Sequence, residues 1–297
     1  MIIGPHVNRN KITNLDKRPL ITEHIDKAIQ VANEYSIKVG VISIFVGSPR
    51  ARIITLTDEE QIELKKYIKK SKIQVIAHSS YAATPWNGNP AAIEYIKQEI
   101  KVCINASIEG LVLHLPKKDP SVVIKYLKKL DKFFLSLKNY SSNLKETFNF
   151  TLYLETPAFV PPKNDNQPKL YYSTPENLNK LFALINKELE YKHYSLCVDT
   201  AHLWVAGEDM QSYEGAKKWL TGIKIQNHII IHLNDSARAK GTGPDKHAAL
   251  TKGKIWNKEH GGLSFILEYA KKQKIPLILE RPNNDMLIDD YKLFLKV

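Results

Sequence analysis

The chain alternates short apolar runs with longer amphipathic segments about eight times along its length. The apolar runs predict strands near residues 1–6, 40–46, 73–78, 110–114, 150–155, 194–199, 228–233 and 275–280. Runs such as Val41–Phe45 are almost continuously hydrophobic, which is typical of parallel strands buried on both faces. The pattern favours an α/β protein built as one (β/α)8 TIM barrel over residues 1–297. An open, doubly wound sheet is the alternative.

Two of the amphipathic segments carry recognisable helix starts. Thr57-Asp58-Glu59-Glu60 is a capping box that predicts a helix running through Lys70. Thr174-Pro175-Glu176 places a cap, a first-turn proline and an acid ahead of a second helix. The buried face of that helix is predicted from the helical spacing of Leu178, Leu181, Phe182 and Ile185.

Two connections are unusually long for a compact domain. One runs from Thr156 through Pro161-Pro162 to Tyr172, and the other runs from Asp235 to about Gly262. Long loops are usually functional or disordered, and both of these follow a strand that ends in a polar, chemistry-bearing residue. We therefore expect the loops to contribute to a site.

Composition excludes several classes of protein. Hydrophobic residues make up 43% of the chain and charged residues 25%, which is ordinary for a globular protein. No apolar run is long enough to span a membrane, and the sequence from Met1 to His6 does not resemble a secretory signal. Cys103 and Cys197 stand alone in apolar surroundings, so we expect reduced, buried thiols. These features favour an intracellular, cytoplasmic protein, with no membrane partner.

The charge balance bears on the choice of partner. The formal net charge of +12 favours polyanions such as nucleic acids. All but six of the 43 basic residues are lysine, however, a skew that an AT-rich coding sequence produces without any function. Charge alone therefore leaves nucleic-acid binding open. One lysine cluster is expected to form a solvated helix face, namely Lys65, Lys66, Lys69, Lys70 and Lys72.

Candidate metal ligands stand at, or just past, the ends of the predicted strands. They are His78, His114, Glu155, Asp199, His202, His232, Asp245, His247 and Glu280. The carboxyl ends of barrel strands converge on one mouth, so these groups are expected to meet there. At three to four ligands per ion, nine groups suffice for about three zinc-like ions. The mixture of imidazole and carboxylate suits Zn²⁺, with Mn²⁺ as a possible substitute.

Each candidate also has an ordinary structural explanation. A strand-end histidine such as His114 is more often a hydrogen-bonded structural residue, and Asp199 could simply cap the following helix. The repetition of the same placement on six strands favours the metal site. His6 ends the first strand and is expected to line the mouth. The remaining histidines are expected to be exposed or structural, namely His24, His193, His228 and His260.

The same residues carry a family resemblance. The motifs HSSY, LVLHLP, LETP, VDTAH, HLND, GTGPDKHAALTKG and ILE resemble the successive motifs of the endonuclease IV family of apurinic/apyrimidinic (AP) endonucleases. The resemblance implies a trinuclear zinc barrel that acts in base excision repair on double-stranded DNA containing abasic sites. Such enzymes cut 5′ to the abasic site, leave a 3′-hydroxyl and a 5′-deoxyribose phosphate, and also trim blocked 3′ ends. It further implies a monomer, whose nuclear or virion location depends on the source.

Carried over by motif, the resemblance assigns the ligands to three zinc ions. Glu155 would be the catalytic residue that bridges two of them. His78 and His114 would complete the first site, whereas the second would take Asp199, His232 and Glu280. The third site would consist of His202, Asp245 and His247.

The resemblance also suggests residues that contact DNA. Arg50, in a loop after the second strand, would enter the duplex, with neighbouring Arg52 as a weaker candidate. Tyr81 would be an aromatic wedge, aided by Trp86 because the neighbour of Tyr81 is only an alanine. Lys246 would contact phosphate where relatives often have arginine, keeping the charge but losing bidentate recognition.

Two rival functions remain open from the sequence. A sugar isomerase of similar barrel shape also gathers histidines and acids at strand ends, usually around one or two ions in carboxylate-rich sites. The Asp245/His247 pair and the basic charge balance argue against that function. A module that binds damaged DNA without cutting it would lack one or more ligands, and here the full set is present.

Overall fold

Eight parallel strands, with helices between them, close into a barrel. The computed structural model describes residues 1–9, 19–143, 149–158, 172–225 and 228–295. The barrel strands are β1 (Ile3–Val7), β2 (Val41–Phe45), β3 (Gln74–His78), β4 (Gly110–His114), β5 (Thr151–Glu155), β6 (Tyr194–Asp199), β7 (Ile230–His232) and β10 (Leu277–Leu279). Each pairs with its neighbours in parallel, and β10 pairs with β1 to complete the ring. The TIM barrel is thereby confirmed, and the doubly wound alternative is wrong.

Helices cover the outside of the barrel. They are α1 (Ile21–Glu34), α2 (Asp58–Ser71), α3 (Pro90–Asn105), α4 (Pro120–Asn143), α5 (Pro175–Glu188), α6 (Thr200–Val205), α7 (Tyr213–Gly222), α8 (Gly261–Gln273) and α9 (Asn284–Phe294). A single 3-10 turn covers Pro85–Asn87. No helix among the described residues is long and apolar enough to cross a membrane.

Both predicted helix starts are confirmed. The hydroxyl of Thr57 accepts a hydrogen bond from the backbone N–H of Glu60, and the carboxylate of Glu60 accepts one from the N–H of Thr57. At α5 the hydroxyl of Thr174 accepts from the N–H of Asn177. The four apolar residues predicted for the buried face of α5 are all buried.

The barrel interior is filled one layer below the mouth. An inner cluster of seven buried side chains comes from seven different strands, namely Val41, Ile76, Val112, Tyr153, Cys197, Ile230 and Ile278. Strand side chains alternate in direction, so the inward residues two positions later stand at the mouth. The apolar layer therefore forms a dry floor beneath the strand ends. Both cysteines are buried and free, as expected.

The second long connection contains a feature that the sequence did not predict. Within it, β8 (Asp235–Ser236) and β9 (His247–Ala248) pair antiparallel as a short ribbon outside the barrel sheet. The first long connection, from Thr156 to Tyr172, lies largely outside the described residues, because residues 159–171 are not among them.

Candidate metal centre

The nine candidate ligands stand together at the carboxyl end of the barrel. Five are the last residues of consecutive strands β3 to β7, and Glu280 directly follows β10. His202 lies in α6, immediately after β6, while Asp245 and His247 approach on the ribbon. Parallel strands with matched register end at one edge, which brings these distant residues into a single cluster.

The first group consists of His78, His114 and Glu155. One ligand atom from each lies within 4.8 Å of the others. Nε2 of His114 is 2.7 Å from Oε2 of Glu155, and Nε2 of His78 is 3.2 Å from the same oxygen. His114 and Glu155 are register partners on β4 and β5, which fixes their approach.

The second group consists of Glu155, Asp199, His232 and Glu280, again within 4.8 Å. Nδ1 of His232 is 2.8 Å from Oε1 of Glu155 and 3.3 Å from Oε2 of Glu280. Glu155 thus turns one carboxylate oxygen towards the first group and the other towards the second. This arrangement suits a carboxylate that bridges two cations.

The third group gathers His202, His247 and Asp199, whose ligand atoms lie within 4.8 Å of one another. Asp245 joins it, since its Oδ2 lies 3.0 Å from Nε2 of His247 and 3.6 Å from Nε2 of His202. The other oxygen, Oδ1, is buried without a hydrogen-bond partner among the described residues. The geometry therefore also brings Asp199 to this group, beyond its expected place in the second.

Hydrogen bonds orient three of the imidazoles for metal binding. Nδ1 of His78 lies 2.7 Å from the carbonyl of Ser79, and Nδ1 of His202 lies 2.8 Å from that of Thr156. Nδ1 of His247 lies 3.3 Å from a third backbone carbonyl. When Nδ1 donates to a carbonyl, Nε2 of a neutral ring presents its lone pair, and here it faces carboxylate oxygens. Facing acceptors require a cation or a proton between them.

The charges of the cluster point the same way. Burial raises the pKa of Glu155, but the imidazoles of His114 and His232 outweigh it, so that this pKa lies well below its ordinary value. Burial lowers the pKa of His202, but the charge of Asp199 and the contact with Asp245 outweigh it, so that this pKa lies well above its ordinary value. Buried acids in this number need compensating positive charge, and the donor set fits divalent ions of the zinc type.

Several supporting residues were missed at the sequence level. The amide nitrogen of Asn234 donates to Oδ2 of Asp199 at 2.7 Å and to Oε2 of Glu280 at 3.1 Å. Its amide oxygen accepts from Arg281 at 2.6 Å, and Arg281 is itself paired with buried Asp290. The signal was present in the motif HLND, where a polar amide directly follows the ligand His232 and Leu233. These contacts hold the carboxylates in place.

His6 lines the mouth, as expected. Its Nδ1 lies 3.0 Å from the hydroxyl of Ser43 and 3.8 Å from Oε1 of Glu280. Burial lowers the pKa of His6 to about 4. The four histidines predicted outside the site are exposed or half-buried.

A cavity of about 350 Å³ opens beside the metal-ligand groups and is bordered by Phe45, Tyr81 and Lys246. Tyr81 is 54% exposed, and its ring centroid lies 5.4 Å from that of His78. Lys246 is exposed between the two ribbon ligands, and Arg50 is exposed on the loop after β2. These three candidate DNA contacts therefore surround the cluster on its open side.

Trp86 lies elsewhere than the sequence suggested. Its side chain is only 5% exposed, and its indole N–H donates to the backbone carbonyl of His114 at 2.9 Å. A buried ring cannot act as a wedge between bases without leaving its site. Trp86 instead supports a metal-ligand residue from behind. The five lysines of α2 and its end are exposed, as expected of a solvated face.

Comparison with known proteins agrees with this geometry. A family model described as a xylose isomerase-like TIM barrel matches residues 29–292. A probable AP endonuclease of African swine fever virus (isolate Pig/Kenya/KEN-50/1950) is 35% identical over 251 residues, covering 80% of this chain and 77% of the relative. The crystal structure of AsfvAP:AG shares 28% identity with a TM-score of 0.82, covering 99% of this chain and 98% of that one. Endonuclease IV from Thermus thermophilus, at 19% identity, 99% and 97% coverage and a TM-score of 0.64, supports the fold.

Fold and family match together define a xylose isomerase-like TIM barrel whose mouth is lined by histidines and acids. Within that class, the chain belongs to the AP endonuclease, or endonuclease IV, family of DNA-repair nucleases, which hydrolyse phosphodiester bonds. The resemblance drawn from the motifs is thereby confirmed.

Proposed function

We propose that the protein is a zinc-dependent endonuclease that hydrolyses the phosphodiester 5′ to an abasic site in double-stranded DNA. The products are a 3′-hydroxyl and a 5′-deoxyribose phosphate, and blocked 3′ ends are trimmed at the same site. The observation that carries the proposal is Glu155, whose two oxygens face two different groups of ligands. A carboxylate shared in this way suits a multinuclear centre aimed at one phosphate.

The donor set supports three zinc ions, one for each group. Five imidazoles and four carboxylates are a poor match for magnesium, which prefers oxygen ligands, but they suit zinc, with manganese as a substitute. Bound zinc supplies Lewis-acid polarisation of the phosphodiester and neutralises the charge that develops during displacement. No side-chain general base is then required among the residues of the cluster.

The protein's own residues hold and orient the reacting parts. Glu155 fixes the relation between the first two groups, and Asn234 fixes the carboxylates of Asp199 and Glu280. Arg50, Tyr81 and Lys246 stand on the open side, where they would contact the phosphates and the unstacked nucleotide. We expect the enzyme to act on abasic duplex as a monomer, because all nine ligands come from one chain.

A sugar isomerase remains the rival enzyme, since the family model is described as xylose isomerase-like. Asp245 and His247 argue against it, because they extend the cluster beyond a two-ion site.

The decisive experiment uses a labelled duplex with one abasic analogue, a tetrahydrofuran residue, at a defined position. We expect nicking on its 5′ side, extension of the product by a DNA polymerase, and loss of nicking with EDTA. Mass spectrometry of the purified protein should find three zinc ions per chain. Turnover of xylose without nicking would favour the isomerase, and binding of the duplex without nicking would favour a damage-recognition module.

A further inference from the structure

Hydrogen bonds join two loops at the mouth into one unit. The arginine loop, residues 47–54, follows β2 and carries Arg50. The tyrosine loop, residues 79–84, follows β3 and carries Tyr81. The backbone N–H of Tyr81 donates to the carbonyl of Pro49 at 2.9 Å. The hydroxyl of Ser80 lies 3.1 Å from the carbonyl of Ala51. Moving one loop without the other would break these bonds.

Helix α3 supports the arginine loop from below through Tyr95. The hydroxyl of Tyr95 donates to the carbonyl of Ile53 at 3.2 Å, and the loop closes on itself through the bond from Ser48 N–H to the same carbonyl at 2.8 Å. A Cβ at Gly47 would lie 2.0 Å from that hydroxyl. Only glycine permits this close approach between loop and helix.

Glu99 lies one helical turn beyond Tyr95 on the same helix and holds the tyrosine loop. It is completely buried. Its Oε2 accepts from the hydroxyl of Ser79 at 2.5 Å, and its Oε1 accepts from the N–H of Ser80 at 3.0 Å. Both partners belong to the tyrosine loop. A buried carboxylate costs free energy that an apolar residue would avoid, so the gain at this position lies in the loop geometry that it imposes.

We propose that Glu99 is a positioning residue that holds the arginine loop and the tyrosine loop as one preformed surface for the damaged strand. The inference rests on the proposed function, because it takes Arg50 and Tyr81 to contact DNA. Glu99 itself touches neither DNA nor a metal ligand and acts through Ser79 and Ser80. Loops that are ordered before binding lower the entropy cost of association, so the benefit appears in substrate affinity.

The test is a double-mutant cycle on abasic duplex. Glu99→Leu removes both acceptors, and we expect KM to rise about tenfold while kcat changes less than about twofold. Glu99→Gln keeps an acceptor for Ser80 and should stay within about threefold of the wild type. In an Arg50→Ala background, Glu99→Leu should add less than about threefold, because the shared surface is already impaired. Independent, multiplying losses in the double variant would overturn the inference.

Two controls separate this inference from general damage to the fold. Glu94→Leu, at an exposed position on the same helix, should leave KM unchanged, and zinc content should remain at the wild-type value in every variant. If Glu99→Leu fails to fold, Ser79→Ala removes one of the two bonds alone and should raise KM in the same direction.

Amide hydrogen exchange provides a readout that does not depend on catalysis. Glu99→Leu should accelerate exchange in both loops together, at Tyr81 and at Ser48. Acceleration confined to the tyrosine loop would overturn the coupling. If the wild type does not nick abasic duplex, the proposed function fails, whereas normal nicking with unchanged KM in Glu99→Leu would refute only the positioning role.

Discussion

Glu155 shows how a single side chain can join two sites. It is the last residue of β5, its side chain is 1% exposed, and imidazoles approach its two oxygens from opposite sides. A buried carboxylate is tolerated here because each oxygen has a partner that carries or accepts positive charge. A substitution at this position therefore removes a ligand from two groups at once.

Glu155→Ala should abolish cleavage of abasic duplex, with a fall in kcat of at least about 10³-fold, because the loss of shared coordination costs several kcal/mol in the transition state. Binding of the damaged duplex should remain measurable by fluorescence anisotropy. The exposed Glu214→Ala serves as the control and should cleave normally. Comparable nicking by Glu155→Ala would remove its bridging role.

Arg50→Ala should weaken discrimination between abasic and intact duplex more than it weakens general binding. We expect the ratio of the two Kd values to fall about tenfold, since an inserted side chain offsets part of the cost of unstacking. Arg52→Ala, on the same exposed loop, is the matched control and should change the ratio less. Equal ratios for wild type and Arg50→Ala would assign Arg50 to a solvated loop.

Residue roles were only partly accessible from the sequence. The ligands could be predicted because an acid or a histidine that ends an apolar run stands out against its neighbours. The place of Trp86 could not, because its partner, the carbonyl of His114, lies 28 residues further along the chain. The role of Asn234 likewise depends on carboxylates from β6 and the end of β10, which only the closed barrel brings near.

At the scale of elements, the ribbon of β8 and β9 completes the third group. Asp235, fully buried at its start, accepts N–H bonds from Ser236 at 2.7 Å, Ile255 at 2.9 Å and Gly253 at 3.2 Å. One carboxylate thus organises both the ribbon and the segment that follows it. The ribbon in turn presents Asp245 and His247 to the barrel.

Asp235→Ala should lower the zinc content from three ions to two per chain, because three backbone N–H groups lose their acceptor and the ribbon loses its fixed position. Inductively coupled plasma mass spectrometry would measure this directly. The exposed Asp285→Ala is the control and should retain three ions. Retention of all three ions in Asp235→Ala would show that the third group forms without this support.

The barrel strands were predictable as elements, whereas the ribbon was not. All eight strands were expected close to their observed bounds, since fully buried parallel strands leave long apolar runs in the sequence. Two-residue strands such as Asp235–Ser236 have no periodicity to detect. Their pairing follows from the buried carboxylate of Asp235, whose partners lie 18 and 20 residues away.

At the scale of the whole molecule, the ligands tie together residues 78 to 280 of the chain. Six of the eight barrel strands contribute one ligand each at or directly after their ends. Ions bound at this place would join strands that are remote in sequence, and they bind the folded chain in preference to the unfolded one.

Removal of the metal should therefore lower the thermal stability of the entire barrel. An ion present at 1,000 times its Kd contributes about 4 kcal/mol, so we expect chelation to lower Tm by on the order of 10 °C in a calorimetric scan. Zinc should restore the original Tm and magnesium should not. A chelated, metal-free sample with unchanged Tm would show that the barrel does not depend on the cluster.

The contact between Trp86 and His114 gives the protein an optical reporter of its own. An indole that donates to the backbone of a ligand residue experiences the electric field at that residue, so its emission wavelength should shift when a cation arrives. Intrinsic fluorescence could thus follow loading of the first group in real time, without a dye, and Trp86→Phe would identify the part of the signal that belongs to this ring.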